Sequence, residues 1–392
     1  MSMKADLLNP ELGYYDEGLN LTKTETYSEV IKEYGKAKKL TPVAYTSRVF
    51  MELENEKIWT RGWIPIGLSQ QIPNISDLLP YTLGFHGVHA QRTKDQSIDV
   101  RLNFHQHGGC RFVPEQCRTG AQTKCSIHSC NYTRDSDVIF GENGNDSDLM
   151  YKFVGINPQK LRSVSYDFLS SLVLVNLDPS YQSFDKSFDS EIIENFQQIK
   201  KYDSICKHKW LDCNSNWKIF LNEFMQCFSD FSVQTEFKYF HENICYEPYI
   251  RKKLKISDVF MSGQEDVEFF WLFPNLLLLK TPKYCLIIII QATAMNKNLQ
   301  RCFFLRDSSM DEKMSEQIFD NFIKLIQNIN IKSKFHHETK LSIDASEASN
   351  KFEESKEMYY LNKYIVDKVL KEHTYYRNAP IMDAGFQGLK RM

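Results

Sequence analysis

The sequence predicts an α+β chain, a small all-β module followed by an antiparallel sheet whose helices are grouped late. Three observations predict it. From residue 64 to about 145, short runs such as PYTLGFHGVHA, SIDVRLNF and DVIF alternate with Gly, Asp and Asn punctuation, the pattern of short strands and turns. Further on, FFWLFPNLLLL, YCLIIIIQATAM and RCFFLRD read as strands. Residues 312–330 then place Ile318, Phe322, Leu325, Ile326 and Ile329 on one helical face. An aromatic content of 13% fits thick β packing.

Taken in order, residues 26–39 suit an exposed helix, and Leu40-Thr-Pro-Val a linker. Within 47–63, Val49, Phe50, Leu53, Ile58 and Trp59 fall near helical spacing. The β module follows. SSLVLVNLDP is a strand ending in a turn, 190–201 a helix, and 216–228 a strand entering a helix. After the helix at 312–330, residues 333–355 are polar and expected as a loop, and 358–371 form a last helix with Tyr360, Tyr364 and Val369. The organisation expected is a polar extension (1–44), a β domain with its opening helix (45–150), a second domain (151–332) and a polar loop, helix and tail (333–392).

Composition excludes several classes. With 42% hydrophobic and 25% charged residues, the 392-residue chain is not a disordered one. A net charge of −2 gives no electrostatic case for nucleic acid. The apolar stretch 269–292 is cut by Lys280, Thr281, Pro282 and Lys283, so no membrane span is expected. The first residues lack the apolar core of a secretory signal, which suggests the cytoplasm, with a mitochondrial address as the alternative. Walker, dinucleotide and nucleophile-elbow motifs are missing.

The most informative stretch is Asn103-Phe-His105-Gln-His107-Gly-Gly-Cys110, then Lys124-Cys125-Ser-Ile-His128. His105 and His107 are two apart, Cys125 and His128 three apart, and seventeen residues separate the pairs. Two short ligand pairs on separate tight turns can converge on one metal centre, and every member is an imidazole or a thiolate. As residues alone they fit a zinc ion, or ordinary His and Cys packed in a β core.

This stretch resembles the cluster-binding motif of the Rieske-type non-haem iron oxygenases, in which Cys-x-His and Cys-x-x-His hold a [2Fe–2S] cluster through two Cys on one iron and two His on the other. His107, Cys125 and His128 fall on three of the four positions, while His105 stands where the family has Cys. Asn103, Gly109 and Tyr132 fit the flanks; Gly108 and Cys130 replace a usual Arg and Trp. An imidazole for a thiolate removes a negative charge, so a variant cluster at His105, His107, Cys125 and His128 would be held less firmly and at higher potential.

The resemblance extends, in collinear order, over roughly residues 40–330: Tyr45-Thr-Ser-Arg-Val-Phe-Met-Glu, Ile58-Trp-Thr-Arg-Gly-Trp63, Ser171-Leu-Val-Leu-Val-Asn176-Leu-Asp-Pro179, Asn216-Trp-Lys218 and Phe273-Pro-Asn275-Leu-Leu. It is similar to the family's α subunits, nearest in flavour to choline monooxygenase-like members. It implies a Rieske-like β domain, then a helix-grip catalytic-type domain. In the family, the helix after Asn-Trp-Lys carries an acid that bridges electron flow from a neighbouring subunit's cluster, then two His which, with a later Asp, hold iron(II). The matching positions here are Gln226, Ser229 and Gln234, with Asp320 a candidate for the Asp. The resemblance therefore implies a degenerate homologue without mononuclear iron, serving as a structural or interaction subunit with protein partners in a larger assembly. The alternatives are an active monooxygenase or redox protein with a variant cluster, and a small-ligand-binding protein using the helix-grip cavity.

Overall fold

A computed structural model describes residues 14–16, 18–84, 86–102, 122–124, 131–133, 163–178, 183–202, 204–229, 232–238, 248–257, 264–342 and 355–371. No helix among them is long and apolar enough to cross a membrane.

The chain opens with a two-stranded turn, β1 (Tyr15–Asp16) and β2 (Leu19–Asn20), and two short helices, α1 (Val43–Thr46) and α2 (Arg48–Glu54). Ser47 starts α2 by accepting the Phe50 amide on its side chain. The helix widens into a π turn, Asn55–Trp59, before β3 (Ile64–Leu68). A meander follows: β4 (Leu78–Leu83), β5 (His86–Arg92) and β6 (Ile98–Leu102). The hairpin β7 (Gln122–Lys124) and β8 (Asn131–Thr133) is next, then β9 (Ser165–Leu169) and β10 (Leu172–Asn176).

The second unit holds α3 (Phe184–Ser187), α4 (Ser190–Gln197), β11 (Ser204–Cys213), α5 (Trp217–Ser229) and β12 (Ser232–Lys238). It continues with β13 (Tyr249–Ser257), β14 (Gln264–Leu272), β15 (Leu276–Lys280), β16 (Tyr284–Ala294), β17 (Lys297–Arg306), α6 (Glu312–Ser342) and α7 (Lys356–Leu370). Seven strands pair antiparallel in the order β11-β17-β16-β15-β14-β13-β12. Their near-continuous apolar text, with Leu276–Leu279 opposite Leu286–Ile289, reflects burial on both faces. Successive residues point to opposite sides. Phe269 stacks on Phe228 of α5, whereas Phe270 meets Phe196 of α4.

The β module docks on the α4 side of this sheet through buried polar groups. Arg301 is fully buried between the rings of Tyr81 and Trp210, each 4.5 Å from its guanidinium. It donates to the carbonyls of Ile66 at 3.2 Å and Pro80 at 3.3 Å and to Gln291 at 3.1 Å. Gln291 and Asn275 donate to the carbonyls of Thr82 and Pro65, both at 3.3 Å. Side chains of the large sheet thus serve backbone acceptors of β3 and β4 that the joint would otherwise strand away from water.

The structure differs from the sequence reading in four places. The helix expected over 26–39 is a 3-10 turn at Thr24–Tyr27 followed by turns, with Gly35 at φ +85 and only Tyr27 and Val30 buried in the stretch 24–37. Residues 172–176, in the stretch read as opening the second domain, form β10, which pairs with β3 of the first. The strand before α5 ends at Cys213, and Asn216 caps a helix that begins at Trp217. The loop expected from residue 333 is helical through Ser342, because Ser333 and His337 continue the buried stripe of Ile326 and Ile329.

Candidate functional site at the seam of α5 and α6

The first-domain ligand candidates His105, His107, Cys125 and His128 lie outside the described residues. The strands around them are placed: β6 ends at Leu102, and β7 pairs with β8 with Lys124 opposite Asn131.

The second-domain candidates sit on or near α5, and the motif Asn216-Trp-Lys218 fixes where that helix starts. Asn216 accepts the Lys218 amide at 3.0 Å and donates to the carbonyls of Met295 at 2.9 Å and Tyr45 at 3.3 Å. The Lys218 ammonium donates to Glu54 at 2.6 Å, and the Trp217 indole donates to the other oxygen of that carboxylate at 3.2 Å. Lys218 is 0% and Glu54 2% exposed. Burial pushes the Glu54 carboxyl up, against the pull of Lys218, and lowers the Lys218 ammonium, against the pull of Glu54. One carboxylate of α2 thereby holds two successive residues of α5.

Along α5, Phe220, Phe224 and Phe228 are buried, with Phe224 and Phe228 against Phe269. Beside that stripe, Glu223 is 4% exposed. Its Oε1 lies 2.7 Å from His336 Nδ1 on α6 and accepts from Asn222 at 3.2 Å. Ser333 donates to the Ile329 carbonyl at 2.8 Å, and His337 is buried beside it. This carboxylate–imidazole pair is what the two helices bring together. Sequence reading missed it, since His336 and His337 fell in an expected loop. The usable signal was the i, i+3/i+4 run Ile326, Ile329, Ser333 and His337.

Gln226 is exposed, three residues beyond Glu223. Ser229 ends α5, and Gln234 stands in β12 opposite Lys253, past a register shift. Asp320 is exposed on α6, close enough to Lys207 of β11 to favour its charge. Sixteen residues separate Asp320 from His336 on the one helix, roughly 24 Å along the axis at about 1.5 Å per residue. The helix therefore carries Asp320 away from the α5 positions. Among the described residues, no three His, Cys, Asp or Glu side chains gather as a metal would need.

No family profile matches the chain. Curated relatives match part of it. The biphenyl dioxygenase α subunit of Metapseudomonas furukawaii is 32% identical over 93 residues, 24% of this chain and 20% of that one. The benzene 1,2-dioxygenase α subunit of Pseudomonas putida is 29% identical over 103 residues, 26% of this chain and 23% of that one. The chain thus matches only about a fifth to a quarter of the length of these relatives. Solved structures match more widely. A quaternary ammonium Rieske monooxygenase superposes with a TM-score of 0.61 at 13% identity, covering 85% of this chain and 95% of that one. Naphthalene 1,2-dioxygenase from Rhodococcus sp. gives 0.62 at 12%, covering 91% and 99%. At such identities the structures speak for the fold, and the curated matches for descent. The chain is a homologue of the α subunits of Rieske-type oxygenases and carries their fold.

Proposed function

We propose that this chain is a Rieske oxygenase α-subunit-like protein without mononuclear iron chemistry, serving as a structural or interaction subunit of a larger assembly. The observation that carries the reading is the set of residue types along and just after α5. The positions that resemble the family's acid, His and His are Gln226, Ser229 and Gln234. At the two imidazole positions, a neutral hydroxyl (Ser229) and an amide (Gln234) are poor iron(II) ligands, and Gln226 lacks the charge of the bridging acid. The candidate Asp320 faces solvent far along α6, and the buried carboxylate at the seam, Glu223, is engaged by His336. These residues do not fit the ion.

The first domain enters the reading through its ligand types alone. His105, His107, Cys125 and His128 would hold a variant [2Fe–2S] cluster or a zinc ion. Protein partners are supported by the relatives, which are named as α subunits of dioxygenases. A second reading, an active monooxygenase or redox protein with the variant cluster, is favoured by the oxygenase activity named for the relatives and structural neighbours.

Iron and acid-labile sulfide analysis of gently purified full-length protein, with electron paramagnetic resonance of the reduced state, separates the two. The expected result is no ferrous ion beyond those of a cluster. A third iron per chain, bound stoichiometrically and lost in Glu223→Gln, overturns the proposal.

A further inference from the structure

Away from the α5–α6 seam, on the α4 face of the large sheet, a cleft of about 470 Å³ opens between β13, β14, β15 and the 3-10 turn Gln198–Lys201. Its charge is lopsided. Lys201, Lys253, Lys255 and Lys280 line it, against Asp266 and Glu268. In the strand Tyr249–Ser257, Arg251, Lys253 and Lys255 alternate, so they share one face at about 7 Å spacing.

Cross-strand pairing alone would make this an ordinary ladder of opposite charges. Lys253 stands opposite Glu268, and Lys255 opposite Asp266. The contacts are different. Glu268 gives one oxygen to Arg251 at 2.7 Å and the other to Lys280 at 2.8 Å. Burial would raise its carboxyl, but those two hydrogen bonds outweigh it and hold the group below the usual carboxylate range. Its charge is therefore spent on two other cations. Among the described residues, no ion pair involves Lys201, Lys253 or Lys255. The Lys280 ammonium is nearly buried, with 6% of its side chain exposed, and donates to Glu268 and to Gln198 at 2.9 Å, leaving a third N–H.

The geometry points to an anion-binding site in this cleft for a phosphate dianion, free or carried by a small ester, held by Lys253 and Lys255 from the strand, Lys201 from the turn and the spare N–H of Lys280. A volume of about 470 Å³ admits a small organic phosphate. Charge-assisted hydrogen bonds to several ammonium groups at once are what distinguish such an anion from chloride. The inference is independent of the iron question, since it uses neither α5 nor α6.

The test is calorimetric titration of the full chain with inorganic phosphate and, separately, with glycerol phosphate, at constant ionic strength set by chloride. Saturable binding of either is expected, and the tighter of the two identifies free phosphate or the ester as the better fit. In the Lys253→Ala/Lys255→Ala variant, both exposed positions, affinity should fall at least tenfold, while Lys324→Ala on the exposed face of α6 leaves it unchanged. Circular dichroism verifies that the variants fold. Heat that does not saturate with either anion, or equal affinity in wild type and double variant, overturns the site.

Discussion

Lys218→Met should destabilise this protein far more than replacing Lys218 and Glu54 together. The ammonium and carboxylate are 2.6 Å apart, which at an effective dielectric near 20 is an attraction of about 6 kcal/mol. Both groups are almost wholly out of water, and removing each ion from solvent costs several kcal/mol. The directions of titration agree: burial drives Glu54 and Lys218 each toward its neutral form despite the partner. The sign follows. A raised Glu and a lowered Lys both mean that burial works against the charged forms, so the cost of burial offsets much of the attraction. Deleting one partner breaks that balance. Lys218→Met leaves a buried carboxylate facing the Trp217 indole alone, and about 3–5 kcal/mol of stability should be lost. Glu54→Gln/Lys218→Met keeps an acceptor for the indole and seats Met among the rings of Tyr45, Phe50 and Trp217, so it should fall within about 2 kcal/mol of wild type. Urea unfolding followed by tryptophan fluorescence reads the site directly, because Trp59 and Trp217 meet edge to face at 5.1 Å. A single variant as stable as wild type, or a double variant losing the sum of both singles, would refute the reasoning.

Two further outcomes are expected. Arg301→Leu strips donors from the carbonyls of Ile66 and Pro80 and from Gln291, so the urea midpoint should drop by the equivalent of about 3 kcal/mol; Arg301→Lys should recover only part, since an ammonium cannot fork to three acceptors in that plane. His89 is buried on β5 with no hydrogen-bond partner on either ring nitrogen among the described residues, and burial, helped by the Arg101 charge, lowers it to about 3. A depressed His contributes stability that is present above its unfolded value near 6.5 and lost as pH falls toward 3, at about 1.4 kcal/mol per pH unit. His89→Leu should flatten the acid side of the stability profile by one proton, and an unchanged slope would contradict the burial of this ring.

How much of this was readable in advance depends on whether the determining contacts are local. The collinear motifs were legible as text, and the structure supplies their physics. Asn216-Trp-Lys218 grips Glu54, and Arg61 of Ile58-Trp-Thr-Arg-Gly-Trp63 closes on Asp178 at 3.0 Å with both side chains 3% exposed. The same Arg61 offers its carbonyl to Lys368 of the last helix at 3.1 Å. These are contacts across more than a hundred residues, and nothing in the spacing of either motif announces its partner. The strand Leu172–Asn176 failed for the same reason: its apolar text suits either sheet, and only pairing with Ile64–Leu68 decides which.

The α6 misreading has a different cause. Beyond residue 330 the buried face is made by Ser333 and His337, with Glu223 reaching His336 from α5, so burial continues where hydrophobicity stops. A hydrophobic pattern detects apolar partners, and this seam is polar. An imidazole and a carboxylate close on each other across it. In that pair, at 2.7 Å, the acid is buried and one of its oxygens, Oε1, is shared between His336 and Asn222. Glu223 and His336 thus join α5 to α6 through a polar contact that no apolar pattern announces.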